Sequence, residues 1–151
     1  MLDEADRRIL RHLLAEPEAS NAVLADRAGV TAASLWRRLE RMRANGTIKA
    51  VRSRIDWRNL GYEVQVSLRF TLDKTNPRAF DDFTAAAREV PEVTEIQTFL
   101  GSVDFRLSVI ARDMAHWQQI YREKILTLPH VSDSDALMMV ATVKDTQEMP
   151  I

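Results

Sequence analysis

The residues best suited to recognise a ligand lie between Val30 and Arg43. Arg37 and Arg41 are four residues apart and would share one face of a helix. Their guanidinium groups can grip phosphates or the edge of a guanine. The small side chains of residues 32–34 would let the start of such a helix approach a base-pair edge. The stretch therefore predicts a helix that contacts double-stranded DNA.

The same stretch carries a second, apolar face. Leu35, Leu39 and Met42 recur at helical spacing and predict the side that packs on a core. Thr31 is a favourable residue for the cap at the N-terminal end of a helix. Taken alone, the stretch also fits a solvated, arginine-rich helix face, so the segments before it are needed to decide between the two interpretations.

Two further helices are predicted upstream. The first spans Leu2 to Ala15 with Asp3 as its cap, and its apolar residues recur at helical spacing. The second is shorter, begins after Ser20 and ends at Gly29. Only a short turn separates it from Thr31. Two helices joined by a tight turn that contains glycine, behind a first packing helix, predict a helix-turn-helix.

The charge distribution agrees with this placement. The net charge of the chain is −1. Residues 1–58 nevertheless hold 12 Lys/Arg against 8 Asp/Glu, a net of +4, whereas residues 59–151 hold 9 against 14, a net of −5. Because phosphates attract positive charge, contact with DNA is expected from the first part of the chain alone.

Composition and motifs argue against several other classes of protein. There are no cysteines, so disulfides and thiolate metal sites are excluded. The three histidines match no metal-binding spacing, and four glycines leave no phosphate-cradling loop. Ser102 and Asp104 could be imagined as a catalytic pair, but no residue that would orient a base accompanies them. We therefore expect no catalytic residue, no metal and no cofactor.

The hydrophobic and charged residues also bear on location. Hydrophobic residues make up 46% and charged residues 28% of the chain, which is typical of a folded domain with real cores. No apolar run approaches the roughly 18 residues that a membrane span requires. The sequence opens on a charged helix without the apolar segment of an export signal. We expect a cytoplasmic protein without membrane contact.

The second part of the chain alternates strands and helices. A connector precedes residue 61, which predicts a domain of residues 1–60 and a domain of residues 61–151. Patterns of period two predict strands over 62–72, 93–100, 105–111 and 131–144, and helical patterns predict helices from Pro77 and from Asp113 to Leu126. The order βαββαβ predicts a ferredoxin-like unit, which makes the whole chain an α+β protein.

This predicted sheet is covered by helices on one face only. We expect the other face to carry apolar residues as well and therefore to need a partner, most simply a second copy of the chain. A dimer also suits a helix-turn-helix protein, because two recognition helices then meet successive major grooves. The sequence thus predicts at least a homodimer.

With both domains placed, the chain resembles the Lrp/AsnC family, the feast/famine regulators of bacteria and archaea. The resemblance covers nearly the whole length and rests on five segments in the same order: LDEADRRILRHLL, SNAVLADRAGVTAASLWRRLERMRANGTI, IDWRNLG, FLGSVDFRLSV and LPHVSDSDALMMVATVK. It implies an N-terminal winged-helix-like module that binds DNA. It also implies a C-terminal domain that assembles dimers into octamers and binds a small effector, usually an amino acid.

The resemblance also implies individual site residues. The recognition helix becomes Thr31 to Arg43. The candidate DNA-binding residues are Thr31, Ala32, Ala33, Ser34, Trp36, Arg37, Arg38 and Arg41. The candidate effector-binding residues are Gly101, Ser102, Asp104, Ser134 and Ala136.

The effector loop departs from the family pattern at one position. The family usually has Gly-Asp/Glu-x-Asp there, and in this chain Ser102 replaces the acidic residue between Gly101 and Asp104. One negative charge is therefore missing, although Asp104 can still pair with the ammonium group of an amino acid. Ala136 also stands where the family often has a hydroxyl residue. The less negative pocket favours a ligand whose side chain forms a hydrogen bond near Ser102.

Other interpretations remain open from sequence alone. Trp36 could belong to a core, and the arginines could form ion pairs with Glu40 or Asp26. Asp104 could only cap a turn. The protein as a whole could be an architectural, chromatin-like DNA-binding protein without an effector, in which the effector loop has lost its ligand.

Overall fold

The computed structural model describes residues 1–146 and 149–150. The chain divides into two compact units, Met1–Arg54 with Val143–Ile151, and Ile55–Thr142. Residues 147, 148 and 151, which belong to the end of the expected domain 61–151, lie outside the described residues. No helix in the described part of the chain is long and apolar enough to cross a membrane.

The first unit is built from three helices: α1 (Glu4–Ala15), α2 (Asn21–Ala28) and α3 (Ala32–Ala44). The side chains of Asp3, Ser20 and Thr31 each accept a hydrogen bond from a backbone N–H in the first turn of the helix that follows. Such caps satisfy N–H groups that have no partner inside the helix. All three predicted helix starts are confirmed.

The turn between α2 and α3 depends on one glycine. Gly29 has a φ of 65°, a left-handed conformation that costs glycine little, and its N–H bonds to carbonyls of the last turn of α2. The chain therefore turns at once into α3 and forms the predicted helix-turn-helix. Its core contains Ile9, Leu24, Ala25, Ala28, Leu35, Leu39 and Met42.

The second unit alternates strands and helices in the predicted βαββαβ order. Its elements are β1 (Val64–Leu72), α4 (Ala79–Arg88), β2 (Val93–Thr98), β3 (Phe105–Ala111), α5 (Met114–Ile120), a π-helical turn (Tyr121–Ile125) and β4 (Val131–Met138). The strands form one sheet in the order β2-β3-β1-β4, and every neighbouring pair is antiparallel. The α+β fold class is confirmed.

The core of this unit lies between the sheet and its two helices. Alternate residues of β1 and β3 are buried, as period-two strands require. Phe83 of α4 packs against Phe70 of β1 and Phe105 of β3, with ring centroids 5.1 and 4.6 Å apart. These aromatic contacts anchor α4 over the centre of the sheet.

Several element boundaries differ from the prediction, among them the start of β1, which lies at Val64 and not at residue 62. Helix α4 begins at Ala79 and not at Pro77, because the side chain of Asn76 accepts a hydrogen bond from the Arg78 N–H at 2.9 Å and forms a turn there. The last strand ends at Met138, short of the expected residue 144. The second strand ends at Thr98 rather than at residue 100.

The second sheet face is more polar than expected. Gln65, Ser67 and Arg69 alternate with the buried residues of β1 and therefore lie on the face that the helices do not cover. Arg69 pairs with Asp135 of the neighbouring strand across this face, with Nη2 and Oδ2 2.7 Å apart. Leu137, which pairs with Ser67, lies on this open face, and Met138, Met139 and Val140 are exposed at the end of β4.

Candidate nucleic-acid interface and ligand loop

Helix α3 presents its candidate residues on the side away from the core. Leu35, Leu39 and Met42 are buried, so Ala33 and Arg37, which share a face through their four-residue spacing, point the other way. The helical unit thus exposes a small side chain one turn before an arginine.

Trp36 flanks this exposed face. Its side chain is 63% exposed, which excludes the interpretation that it is a core residue. A large exposed ring on a helix that also carries cations supplies apolar contact area. Thr31 and Ala32 are exposed at the beginning of the same helix, where a groove edge would be approached first.

Arg37 is the most available cation of α3. It is exposed, and within residues 1–146 and 149–150 no hydrogen bond or ion pair of its side chain is found. A guanidinium without an internal partner keeps all five N–H donors for a ligand. Arg43, by contrast, pairs with Glu40 at 2.8 Å.

Arg38 and Arg41 are turned toward α1. Nη1 of Arg38 lies 2.7 Å from Oδ2 of Asp3 and 2.8 Å from Oδ1 of Asp6, and Arg41 pairs with the other oxygen of Asp6. Ser34 joins this arrangement, since its hydroxyl accepts a hydrogen bond from Nε of Arg38 at 3.3 Å. The structure therefore separates these three residues from the exposed face that carries Arg37.

Asp6 is the residue that sequence reasoning missed. It lies in the first turn of α1, where an acidic residue is ordinarily explained by the helix dipole. The carboxylate also accepts the Asp3 N–H at 3.0 Å, and Asp3 accepts the Asp6 N–H at 2.9 Å. That reciprocal capping box was the available signal, but the partners on α3 are about thirty residues away.

The arginines keep both acids ionised. The hydrogen bond from Arg38 is the largest influence on Asp3 and lowers its pKa to about 2. Burial is the largest influence on Asp6 and would raise its pKa, but the hydrogen bonds from Arg38, the Asp3 N–H and Arg41 together lower it. The pKa of Arg38 is raised, chiefly by its hydrogen bond to Asp3.

The predicted effector loop joins β2 to β3. Gly101 and Ser102 are exposed there, and Gly101 has a φ of 147°, a conformation that other residues rarely adopt. The Thr71 hydroxyl donates a hydrogen bond to the Ser102 carbonyl at 2.9 Å and ties the loop to β1. The loop therefore has a fixed backbone and an open surface.

Asp104 does not offer a free carboxylate. It is 3% exposed, its Oδ2 accepts the Leu72 N–H at 2.9 Å, and its Oδ1 lies 2.9 Å from Nζ of Lys74. Burial would raise the pKa of Asp104, but these two partners lower it. Both oxygens therefore have a partner within the chain, and a role of Asp104 toward an effector stays a prediction.

Ser134 and Ala136 lie elsewhere in the sheet. They stand opposite Phe70 and Leu68 of β1, yet they are exposed because β4 is an edge strand that the helices leave open. Phe70 pairs with Phe105 on its other side, so two strand spacings, about 10 Å, separate Ser134 from the β3 end of the loop. The loop itself reaches across β1, since the Ser102 carbonyl accepts the Thr71 hydroxyl and the Phe70 carbonyl accepts the Asp104 N–H.

Among the residues that the structure describes, no group of three or more His, Asp or Glu side chains is placed to hold a metal ion. His116 faces Glu92 with Nε2 and Oε1 3.8 Å apart, and His130 contacts Asp82 at 2.9 Å.

Both parts of the chain are similar to known protein families. Residues 65–149 match the model of the Lrp/AsnC ligand binding domain, and residues 2–49 match that of a winged helix-turn-helix DNA-binding domain. Transcriptional regulator AzlB from Bacillus subtilis is 29% identical over 151 residues, which cover 100% of this chain and 96% of that protein. The proline dehydrogenase transcriptional activator from Rhodobacter capsulatus is 31% identical over 143 residues, 95% of this chain and 93% of that one.

Solved structures show the same fold. An AsnC family transcriptional regulator from Agrobacterium tumefaciens superposes with a TM-score of 0.87 at 27% identity, covering 99% of this chain and 97% of that chain. A transcriptional regulator from Neisseria meningitidis, solved as an L-Met complex, superposes with a TM-score of 0.90 at 23% identity. The match covers 99% of this chain and 97% of that chain. The chain belongs to the Lrp/AsnC family of transcriptional regulators, with an N-terminal winged helix-turn-helix DNA-binding domain and a C-terminal ligand-binding domain.

Proposed function

We propose that this chain binds specific double-stranded DNA sequences in the cytoplasm and that an amino acid or closely related metabolite controls its binding through the C-terminal domain. One observation carries the DNA-binding part most strongly. Arg37 is exposed and unpaired in the described part of the chain, and it lies opposite the core face of the second helix of a helix-turn-helix.

The DNA-contacting residues in this proposal are those on the exposed side of α3: Thr31, Ala32, Ala33, Trp36 and Arg37. Arg37 can donate two parallel hydrogen bonds to O6 and N7 of a guanine. Trp36 can contact a thymine methyl group, and Ala33 lets the helix approach the bases. Ser34, Arg38 and Arg41 stay on the side that faces α1.

The effector site is proposed around the exposed backbone of Gly101 and Ser102. Ser102 is bonded to Thr71 of β1, and Ser134 stands opposite Phe70 of the same strand, so the ligand in this proposal extends from the loop toward β4. Asp104 then acts indirectly, by holding the end of β1 and the loop in place. Ala136 lines the same exposed edge.

The chemistry of relatives supports the effector class. The C-terminal match is to a ligand binding domain, relatives at 27% identity from Salmonella typhimurium and Escherichia coli are named leucine-responsive regulatory proteins, and the Neisseria protein was solved with L-Met. These names describe those proteins. They favour an apolar or small amino acid as the first ligand to test here.

Assembly of the chain into homodimers, and of dimers into octamers, is part of the same proposal. The open sheet face is mostly polar and does not demand a partner, but Leu137, Met138, Met139 and Val140 expose apolar area around the end of an edge strand. Edge strands with exposed apolar side chains pair readily with another chain. We place the self-association surface there.

The proposal is tested in two steps with the full chain. DNA duplexes are first selected from a random pool, and enrichment of a common sequence is expected. The thermal midpoint and the affinity for that duplex are then measured with each of the standard amino acids, because a ligand that binds only the folded state raises the midpoint. If no common sequence is enriched from the pool, the proposal that the chain binds specific DNA sequences is refuted.

The second candidate is an architectural DNA-binding protein without an effector. Two observations favour it, the replacement of an acidic residue by Ser102 and the engagement of Asp104 with Leu72 and Lys74. In that case DNA binding persists, no amino acid raises the thermal midpoint, and none changes the affinity for DNA. The same panel therefore distinguishes the two functions.

A further inference from the structure

Asp6 is the one fully buried charged residue that the proposed function does not use, among the residues that the structure describes. Its side chain is 0% exposed, whereas those of its partners Arg38 and Arg41 are 20% and 49% exposed. An ionised carboxylate is buried only when charged or hydrogen-bonded partners offset the loss of water. Two arginines of the recognition helix are therefore held from inside the protein.

We infer that Asp6 is a positioning residue that raises the sequence discrimination of this domain by withholding the charges of Arg38 and Arg41 from the phosphates of DNA. The inference rests on the proposed function, in which α3 lies in a groove of the duplex. Asp6 lies on α1 and is not itself one of the proposed DNA contacts.

The distribution of charge on α3 carries the argument. Of its four arginines, Arg43 is paired with Glu40 on the surface, and Arg38 and Arg41 are paired with carboxylates of the first turn of α1. Arg37 alone has no internal partner in the described part of the chain. Phosphate contacts strengthen binding to every sequence alike, whereas base contacts separate one sequence from another. Fewer free cations therefore leave more of the binding energy to Arg37.

The same contacts fix the rotation of the helix. Arg38 reaches both Asp3 and Asp6, and its Nε also bonds to Ser34 on the preceding turn. A guanidinium held by two carboxylates stops α3 from turning about its own axis relative to α1. Arg37 precedes Arg38 on the same helix, so its side chain is kept on the exposed side of α3.

The test compares full-length variants on a random-sequence duplex and on a duplex selected by the parent protein. Binding is measured by fluorescence anisotropy between about 50 and 200 mM salt, where each phosphate neutralised adds about 0.9 to the slope of log K against log salt. Asp6→Asn keeps the shape of the side chain and removes its charge. We expect the slope on random DNA to steepen by about 1 to 2, and the preference for the selected duplex to fall.

Glu4→Gln is the matched control. It removes the same charge from the same turn of α1, but Glu4 is exposed and, in the part of the chain that the structure describes, pairs with no arginine of α3. Its slope should stay that of the parent apart from a general effect of net charge. A steepening by Asp6→Asn that is no larger than the one by Glu4→Gln overturns the inference.

A second variant covers the case in which Asp6→Asn fails to fold, as judged by thermal unfolding. Asp3→Asn retains a good cap residue and removes an exposed carboxylate that holds Arg38. On random DNA, the salt dependence of Asp3→Asn should be steeper than that of Glu4→Gln. Equal salt dependences of the two variants contradict the inference. A parent protein that binds neither duplex would instead refute the proposed function itself, and the inference with it.

Discussion

Oδ2 of Asp104 accepts a hydrogen bond from the backbone N–H of Leu72 at 2.9 Å. The β1–β3 ladder ends where Phe70 pairs with Phe105, so the Leu72 N–H has no partner on β3. The buried carboxylate supplies that partner and continues the ladder by one more bond. The loop that precedes β3 is thereby attached to the end of β1.

Replacing Asp104 by Ala should destabilise the C-terminal domain. The Leu72 N–H would be left buried without a partner, and Lys74 would lose its ion pair, which together should lower the free energy of unfolding by about 2–3 kcal/mol. Urea denaturation followed by circular dichroism measures this. Asp133→Ala, at an exposed position of β4, is the control and should change little. Equal stability of the two variants would show that the Asp104 contact contributes nothing.

Gly101→Ala should alter the effector response more than DNA binding. Among the described residues, no heavy atom beyond Gly101 and its two chain neighbours lies within 4 Å of the position that a Cβ would take, so the effect comes from the φ of 147°. Strain of this kind costs about 1–3 kcal/mol, which the exposed loop relieves by changing shape. We expect the thermal shift produced by the best amino acid to shrink, with DNA affinity in its absence retained. A full shift in the variant would place the ligand away from this loop.

The N-terminal carboxylates predict an acid-dependent loss of stability. The pKa of Asp3 falls from 3.8 in its unperturbed state to about 2 in the folded chain, chiefly through Arg38. A lowered pKa stabilises the folded state above the unfolded pKa, and this contribution is lost as the pH falls from about 4 toward 2. Asp3→Asn lacks it. The difference in thermal midpoint between parent and variant should therefore be largest near neutral pH, small near pH 2 and absent only below that pH, and a constant difference would contradict this cause.

Self-association should depend on the apolar end of β4. Val140 is 94% exposed and follows that strand directly. Val140→Lys places a charge in the proposed contact between chains, and we expect light scattering to report a smaller average mass at the same concentration. Val51→Lys changes an exposed valine of the N-terminal unit and serves as the control. An unchanged mass for Val140→Lys would move the contact to another surface.

Much of the fold could be predicted because its signals are local. The caps at Asp3, Ser20 and Thr31 depend on residues within one turn, and the bounds of β3 follow from strict alternation. The polar character of the open sheet face was also visible in the polar residues that alternate along β1. The general need of an open sheet face for a partner predicts apolar residues there, but the alternation along β1 is the more direct signal.

The site was harder to predict because its contacts are distant in sequence. Arg37 and Arg41 have the spacing of a DNA-facing pair, and only the packing of α1 on α3 shows that Asp6 holds Arg41 together with Arg38. Asp104 matched the family pattern for an effector residue, but its partners Leu72 and Lys74 lie about thirty residues earlier. Residue type and spacing identify a charged group, whereas its availability depends on what packs against it.

The most direct measurement compares Arg37→Ala with Arg88→Ala on the selected and the random duplex. Arg88 is an exposed arginine of α4 and controls for the loss of one positive charge. Arg37→Ala should weaken binding to the selected duplex by about 1–3 kcal/mol, roughly 5- to 150-fold, with a much smaller loss on random DNA. Arg88→Ala should leave both affinities within about twofold. If Arg37→Ala binds both duplexes as the parent does, α3 is not the helix that reads DNA.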